Sequence, residues 1–359
     1  MKFICLYIFM LFLVGCKTTI DDSIETISID CNRKQKKALS NYFDNVKICP
    51  LETNSECLLG YVTKVEIYNS DYYLLDFTNN CVFQFGADGK FKRKLEKIGR
   101  GPDEYIKITD LKIQEDGIYL LDYPQQAILH FKHDMSFVKK IHFDLFPSEF
   151  LLDVDTLFIY CERNNSKEDY CFYQISKDGI IEKSYIKRKK LSKIKYNFQN
   201  SSVFCVGRDT LFSSRYSNYI YSKNKQSIIY KLDFKEKTFP EEKLNIEDYN
   251  IYEKKFPYVV RENIYQNDNQ LIISYFDDGK RCFALYDFDK KNVVFNGSFE
   301  NDLITDFRFF PQWQKGKYWI DYIDSYSLIN NFPMLKEKFI QLKNLQETDN
   351  PVLIIYEIM

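Results

Sequence analysis

The segments YLLDFTNNCVFQFGADGKF (residues 73–91) and YLLDYPQQAILHFKHDMSF (residues 119–137) align without a gap at an offset of 46. Tyr73 meets Tyr119, Asp76 meets Asp122, Phe85 meets Phe131, Asp88 meets Asp134 and Phe91 meets Phe137; upstream, Thr63, Val65 and Ile67 face Thr109, Leu111 and Ile113. Each copy divides into four short segments of strand character: 62–67, which alternates, then 72–76, 82–85 and, after a turn at Asp88-Gly89, 91–95. Turn signals spaced by about eight to twelve residues predict an all-β assembly. A period near 46 with four strands per unit is that of a propeller blade, whereas solenoid turns run to roughly 20–34 residues.

Weaker copies follow outward from this pair. Residues 157–160 with CFYQISKDGII (171–181), 211–213 with IIYKLDF (228–234), and 271–274 with CFALYDFDKK (282–291) repeat the middle hairpin. A sixth unit takes the aromatic segment 317–322 and the strand 352–358. Between them Leu335, Phe339, Leu342 and Leu345 share one helical face, so 335–345 is expected as a short helix on the outside. The expected fold is all-β, a six-bladed β-propeller of four-stranded blades over residues 27–359. Closure is expected to pair 352–358 with 26–30, which removes a free sheet edge.

Composition agrees. Aromatic residues form 17% of the chain, with 28 Tyr and 31 Phe, as large packed sheets favour. Glycines number only 12, so left-handed turn positions must lean on Asn and Asp. Lys and Arg total 50 against 51 Asp and Glu, a formal net charge of −1, and a near-neutral chain argues against nucleic acid as a partner. The run KSYIKRKKLSKIK (183–195) is read as a solvated loop between strands, with a polyanion or headgroup contact as the alternative.

At the start, Lys2 precedes an uncharged run, 3–14, that is too short for a bilayer needing about 20 apolar residues and has the form of an export signal. Leu13, Val14, Gly15 and Cys16 look like a lipobox, so residues 1–15 are expected to be removed and Cys16 acylated. Each buried CH₂ contributes roughly 0.8 kcal/mol, and two or three chains anchor firmly. Residues 16–26, polar and acidic, form the tether. The expected location is exported: an outer membrane lipoprotein, on the cell surface or the periplasmic side. Of the eight cysteines left, Cys49 and Cys57 are close enough in sequence to close a small disulfide loop in an oxidising compartment. Cys81, Cys171 and Cys282 hold one repeat position in different blades. Rotation about the channel places them too far apart to bridge, and they are read as small buried residues. Cys161 and Cys171, across one hairpin, are the exception.

The most distinctive string is Ile98-Gly99-Arg100-Gly101-Pro102-Asp103-Glu104-Tyr105, between two blades. In one reading Arg100 and Glu104 pair locally and Tyr105 packs under the next blade. In the other, Arg100, Glu104 and Tyr105 border a channel mouth and bind an anionic or polyol ligand. The string lacks the GxxxxGK[ST] phosphate-loop pattern.

With a lipobox leader, a Pro-Leu-Glu-Thr segment (50–53), the GRGPDEY loop (99–105), paired Leu-Asp strands and DNPVLIIY (349–356), the chain resembles the six-bladed β-propeller lipoproteins of Bacteroidetes, whose architecture is NHL-like. Asp103 stands where that family usually has glycine. The resemblance implies a fold and an exported location; the family's molecular activity is largely undefined.

Signs of enzyme chemistry are few. His130, His133 and His142 all lie in one blade, and no HExxH, GxSxG or calcium-loop motif is present. No metal site or cofactor is expected. The function expected is a non-catalytic, membrane-anchored propeller binding a ligand or a partner protein through its loop faces. In the glycan version exposed Tyr, or Trp313 and Trp319, stack on sugar, although tryptophans of this kind are more often core. The alternative is a metal-dependent hydrolase or lactonase with its site in the channel.

Overall fold

Tyr73-Leu-Leu-Asp76 and its copy at 119–122 end the second strands of two successive sheets, and the repeat becomes a ring. The computed structural model describes residues 24–153, 156–161, 169–187, 203–214, 217–240 and 257–359. Six sheets of four antiparallel strands form a β-propeller. From the channel outward, blade 1 is Val62–Tyr68, Asp71–Asp76, Cys81–Phe85 and Phe91–Leu95; blade 2 is Ile108–Gln114, Gly117–Asp122, Ala127–Phe131 and Phe137–His142. Blade 3 is Glu149–Asp153, Thr156–Tyr160, Tyr170–Ser176 and Ile181–Lys187; blade 4 is Phe204–Val206, Thr210–Phe212, Tyr219–Ser222 and Ser227–Asp233. Blade 5 is Val260–Gln266, Gln270–Asp277, Lys280–Asp287 and Asn292–Glu300; blade 6 is Trp313–Lys315, Tyr318–Ile323, Val352–Ile358 and Phe43–Pro50. We call the end at which inner strands begin the upper face. Blade-to-blade links and second-to-third-strand connections lie there, and the other hairpins lie below, two in each of blades 1 to 5 and one in blade 6.

Both faces of every blade are apolar because both meet a neighbouring blade. The buried hydrophobic residues accordingly fall into six clusters, one per interface. At roughly 1.5–3 kcal/mol for each fully buried large apolar side chain, these seams supply the main stabilisation. Cys81 and Cys282 are buried in different seams, 6/1 and 4/5, and Cys171 packs against the 3/4 seam.

Closure differs from the expectation. Val352–Ile358 pairs antiparallel with Phe43–Pro50, not with 26–30. Glu25–Ser28 instead runs parallel to Ser227–Asp233 as a fifth strand on blade 4, and Gln35–Ala38 adds a parallel strand to blade 5. The residues before the closing strand thus form a belt around the outside of blades 4 and 5. Lys34 holds it there through Asp277, a fully buried carboxylate 2.5 Å away that Lys237 also contacts at 2.8 Å. In blade 4 the third strand is Tyr219–Ser222, so the segment 228–234, expected in the middle hairpin, is the outer strand.

The apolar face 335–345 forms the short helix Met334–Lys338 and a 3₁₀ turn, Ile340–Leu342, rather than one helix; Leu335, Leu342 and Leu345 are buried. A capped helix, Ser325–Asn331, precedes it. Positive φ falls on repeat positions more than on residue type: Asn80 and Gln126, 46 residues apart, have φ of 53° and 50°. Among the described residues no helix is long and apolar enough to cross a membrane. Residues 1–23, with the signal segment and Cys16, and the basic run from 188 onward lie outside the described residues.

Candidate functional site

The string 98–105 builds a clasp on the upper face. Tyr105 is fully buried in the 1/2 seam; its hydroxyl donates to the Leu95 carbonyl at 3.2 Å and accepts from the Lys97 N–H. Glu104 does not pair with Arg100: its carboxylate accepts the Gly101 N–H at 2.8 Å. A Cβ on Gly99 would collide with that carboxylate and one on Gly101 would crowd it, so a side chain at Gly99 would displace Glu104, and neither glycine nor Asp103 adopts positive φ. Lys140 donates to the carbonyls of Gly101 and Glu104 at 3.0 and 2.7 Å, and Gln125 donates to Glu104 and to Asp122. Asp103 pairs with Lys97. Of the three residues expected to bind ligand, only Arg100 is left exposed.

The segments 50–53 and 349–356 meet in space. The Asn350 amide donates to the carbonyls of Glu52 and Cys57 at 2.6 and 2.7 Å, its oxygen accepts the Leu59 N–H at 2.8 Å, and its own N–H reaches Thr53. Cys49 and Cys57 are not joined: both thiols are free, and they point to different carbonyls, those of Ala87 and Glu52. Cys161 and Cys171 face each other across the blade 3 hairpin through a backbone hydrogen bond.

The charged side chains that line the channel were missed by pattern reading, which placed only the alternative hydrolase site there. All six inner strands line a cavity of about 570 Å³. Lys64 faces Asp110 at 3.5 Å, Lys112 faces Glu66 at 3.8 Å, and Lys315 crosses from blade 6 to Glu66 at 2.9 Å and to the Ile113 carbonyl at 3.4 Å. Glu149 completes three cations and three carboxylates. Burial alone would raise the Glu66 carboxyl, but Lys315, Lys112 and Lys64 outweigh it and hold it below the usual range. Lys112 is held below its ordinary value by burial and by the adjacent Lys64 charge. A signal was available: at the offset of 46, Lys64 matches Asp110 and Glu66 matches Lys112, opposite charges at one repeat position in adjacent blades.

Above the channel, between blades 5 and 6, Asp321 is fully buried, with Arg308 at 3.5 Å. Burial pushes its carboxyl up to about 6 against the pull of Arg308. Arg281 pairs with Glu262 and lies over the Phe310 ring. Trp319 is core, and Trp313, 9% exposed, borders the channel. On the lower face a second cavity, about 560 Å³, opens between blades 5 and 6; its rim residues Asn267 and Asp287 accept N–H groups of their own turns. Among the described residues no three His, Cys, Asp or Glu side chains gather as a metal-binding group.

A protein of Bacteroides fragilis described as a candidate exported protein is similar to this chain, with 17% identity and a TM-score of 0.69 over 94% of this chain and 99% of that one. A DUF4221 family member from Bacteroides vulgatus has 9% identity and a TM-score of 0.51 over 88% and 97%. Virginiamycin B lyase of Staphylococcus aureus has 13% identity and a TM-score of 0.44 over 72% and 75%, too distant to bear on activity. These likenesses show the fold alone. No curated protein matches. The family model described as a domain of unknown function, DUF4934, matches residues 24–357, and the chain belongs to that family.

Proposed function

We propose that the protein is an exported lipoprotein of the outer membrane, held by lipid on Cys16, and that its NHL-like propeller works by binding a ligand or partner rather than by catalysis. The carrying observation is the channel. It is a cavity of ligand size, lined by every blade, in which each carboxylate is opposed by a lysine or a backbone N–H instead of being grouped with others. The upper-face string 98–105 supports this placement, because its glutamate and tyrosine serve the blade junction and leave the channel as the site with uncommitted polar capacity.

Two measurements test this reading. Metal analysis of the purified domain should find no stoichiometric divalent ion; one bound in the channel would replace the binding reading with a metal-dependent hydrolase. Cell fractionation of Cys16→Ala should move the protein from the membrane to the soluble fraction, and intact mass of the parent should show acylation. A variant that stays on the membrane removes the anchor from the proposal.

A further inference from the structure

In the channel Asp110 is better supplied with donors than Lys64 and Lys112 are with close acceptors. Asp110 accepts the Leu111 and Phe150 N–H groups at 2.9 and 3.2 Å in addition to facing Lys64. Glu149 accepts the Val203 N–H at 3.4 Å, and Glu66 lies between Lys112 and Lys315. Lys64 and Lys112, neighbours on blades 1 and 2, each carry three N–H donors. Their ion pairs stretch to 3.5 and 3.8 Å, beyond the roughly 2.7–3.2 Å of a good hydrogen bond. Both side chains are largely buried, 16% and 12% exposed. Burial and the adjacent Lys64 charge destabilise the Lys112 ammonium, whereas Asp110, Glu66 and Glu149 hold Lys64 charged despite its burial, so an added anion beside the pair relieves Lys112 most.

The other side of the ring is uncharged. Phe204 and Val206 of blade 4 and Tyr265 of blade 5 lie opposite blades 1 and 2, flanked by Leu152 and Trp313. Val206 is 60% exposed although it sits on an inner strand. A cavity with paired cations on one wall and apolar side chains on the other matches an amphipathic acid. Glu66, Asp110 and Glu149 in the same ring disfavour a second negative charge on the ligand, which argues against phosphate.

We propose that the channel binds a small organic monocarboxylate with an apolar or aromatic body. The carboxylate lies between the Lys64 and Lys112 ammonium groups, and the body lies against Phe204, Val206 and Tyr265. This deepens the channel-binding reading above and rests on it.

The test is calorimetric titration of the whole mature domain with 3-phenylpropanoate, its uncharged amide and inorganic phosphate. Expected is one-to-one binding of the acid, with the amide and phosphate weaker by about tenfold or more, the scale of one lost charge-assisted contact. Lys112→Met should lose about tenfold, Lys112→Arg should largely retain binding, and Lys92→Met on the outer edge of blade 1 should match the parent. Equal binding of acid and amide, tighter binding of phosphate, or unchanged affinity in Lys112→Met that melts like the parent overturns the carboxylate site and leaves channel binding standing. No binding of any of the three overturns the carboxylate site as well. Channel binding itself falls if Val206→Trp, which obstructs the cavity, captures envelope components as well as the parent does.

Discussion

Asn350, itself buried, commits its side-chain amide to three backbone groups of the segment that enters blade 1, of which that of Cys57 is buried and those of Glu52 and Leu59 are half-buried. Asn350→Ala removes those bonds and strands two carbonyls and an N–H, so the urea midpoint should fall by the equivalent of about 3 kcal/mol, at roughly 1 kcal/mol per bond. A shift below about 1 kcal/mol would mean that water replaces the amide. Asp321 gives a pH signature. Its carboxyl ionises at about 6 in the fold against a reference value of 3.8, so between those values the folded state binds more protons than the unfolded chain. Stability contributed by this group is therefore fully present below pH 4 and is lost as pH rises through 6. Asp321→Asn should flatten that part of the profile relative to the parent; parallel curves would show that Asp321 stays ionised. Neither residue was legible as a special position. In the sequence Asn350 is one residue of the string 349–356, and Asp321 is one aspartate within an aromatic strand segment. Asp76 and Asp122, at the ends of their strands, accept N–H groups, whereas Asp321, inside its strand, accepts the Tyr322 N–H and also faces Arg308, a charge that only tertiary context brings there.

At the scale of strands, the period of 46 fixed the four segments of blade 1 to within a residue or two, because alternation and turn residues there follow local rules. It failed where a partner strand comes from far away. A four-residue strand such as Glu25–Ser28 carries no periodicity of its own; its place is set by the open edge of blade 4. The closing strand and the belt strand should also respond differently to the same insult. Leu353 is fully buried between blades 6 and 1 on the strand that closes the ring, and Leu353→Asp should abolish folded, protease-resistant protein. Ile27 is equally buried, but Ile27→Asp should detach only the belt, leaving a folded ring with an exposed blade 4 edge. Limited proteolysis should then cut ahead of Phe43 while the remainder survives. Loss of the whole ring in Ile27→Asp would show that the belt is part of closure.

Across the whole molecule, six apolar seams hold the ring and opposite charges at equivalent positions line its axis. Lys64 and Asp110 form one such pair. Reversing one partner buries like charges and should cost about 3 kcal/mol or more. The double reversal, Lys64→Asp with Asp110→Lys, should recover most of that loss in a denaturation cycle; additive losses would show that the pair is not coupled. The channel was legible only as an expectation of the fold, since which side chains meet on its axis depends on six strands that are far apart in sequence. The pairing of Phe43–Pro50 with Val352–Ile358 has a temporal consequence. A chain made from its N-terminus delivers the first of these strands roughly 300 residues before the second, and contacts at such separation form slowly. Blade 6 must wait for its third strand, so Phe43–Pro50 stays an open edge until Val352–Ile358 has been made, and ring closure is a late event. Once formed, the same pairing ties the two ends of the ring into one sheet, so opening the ring there must also break the seam with blade 1.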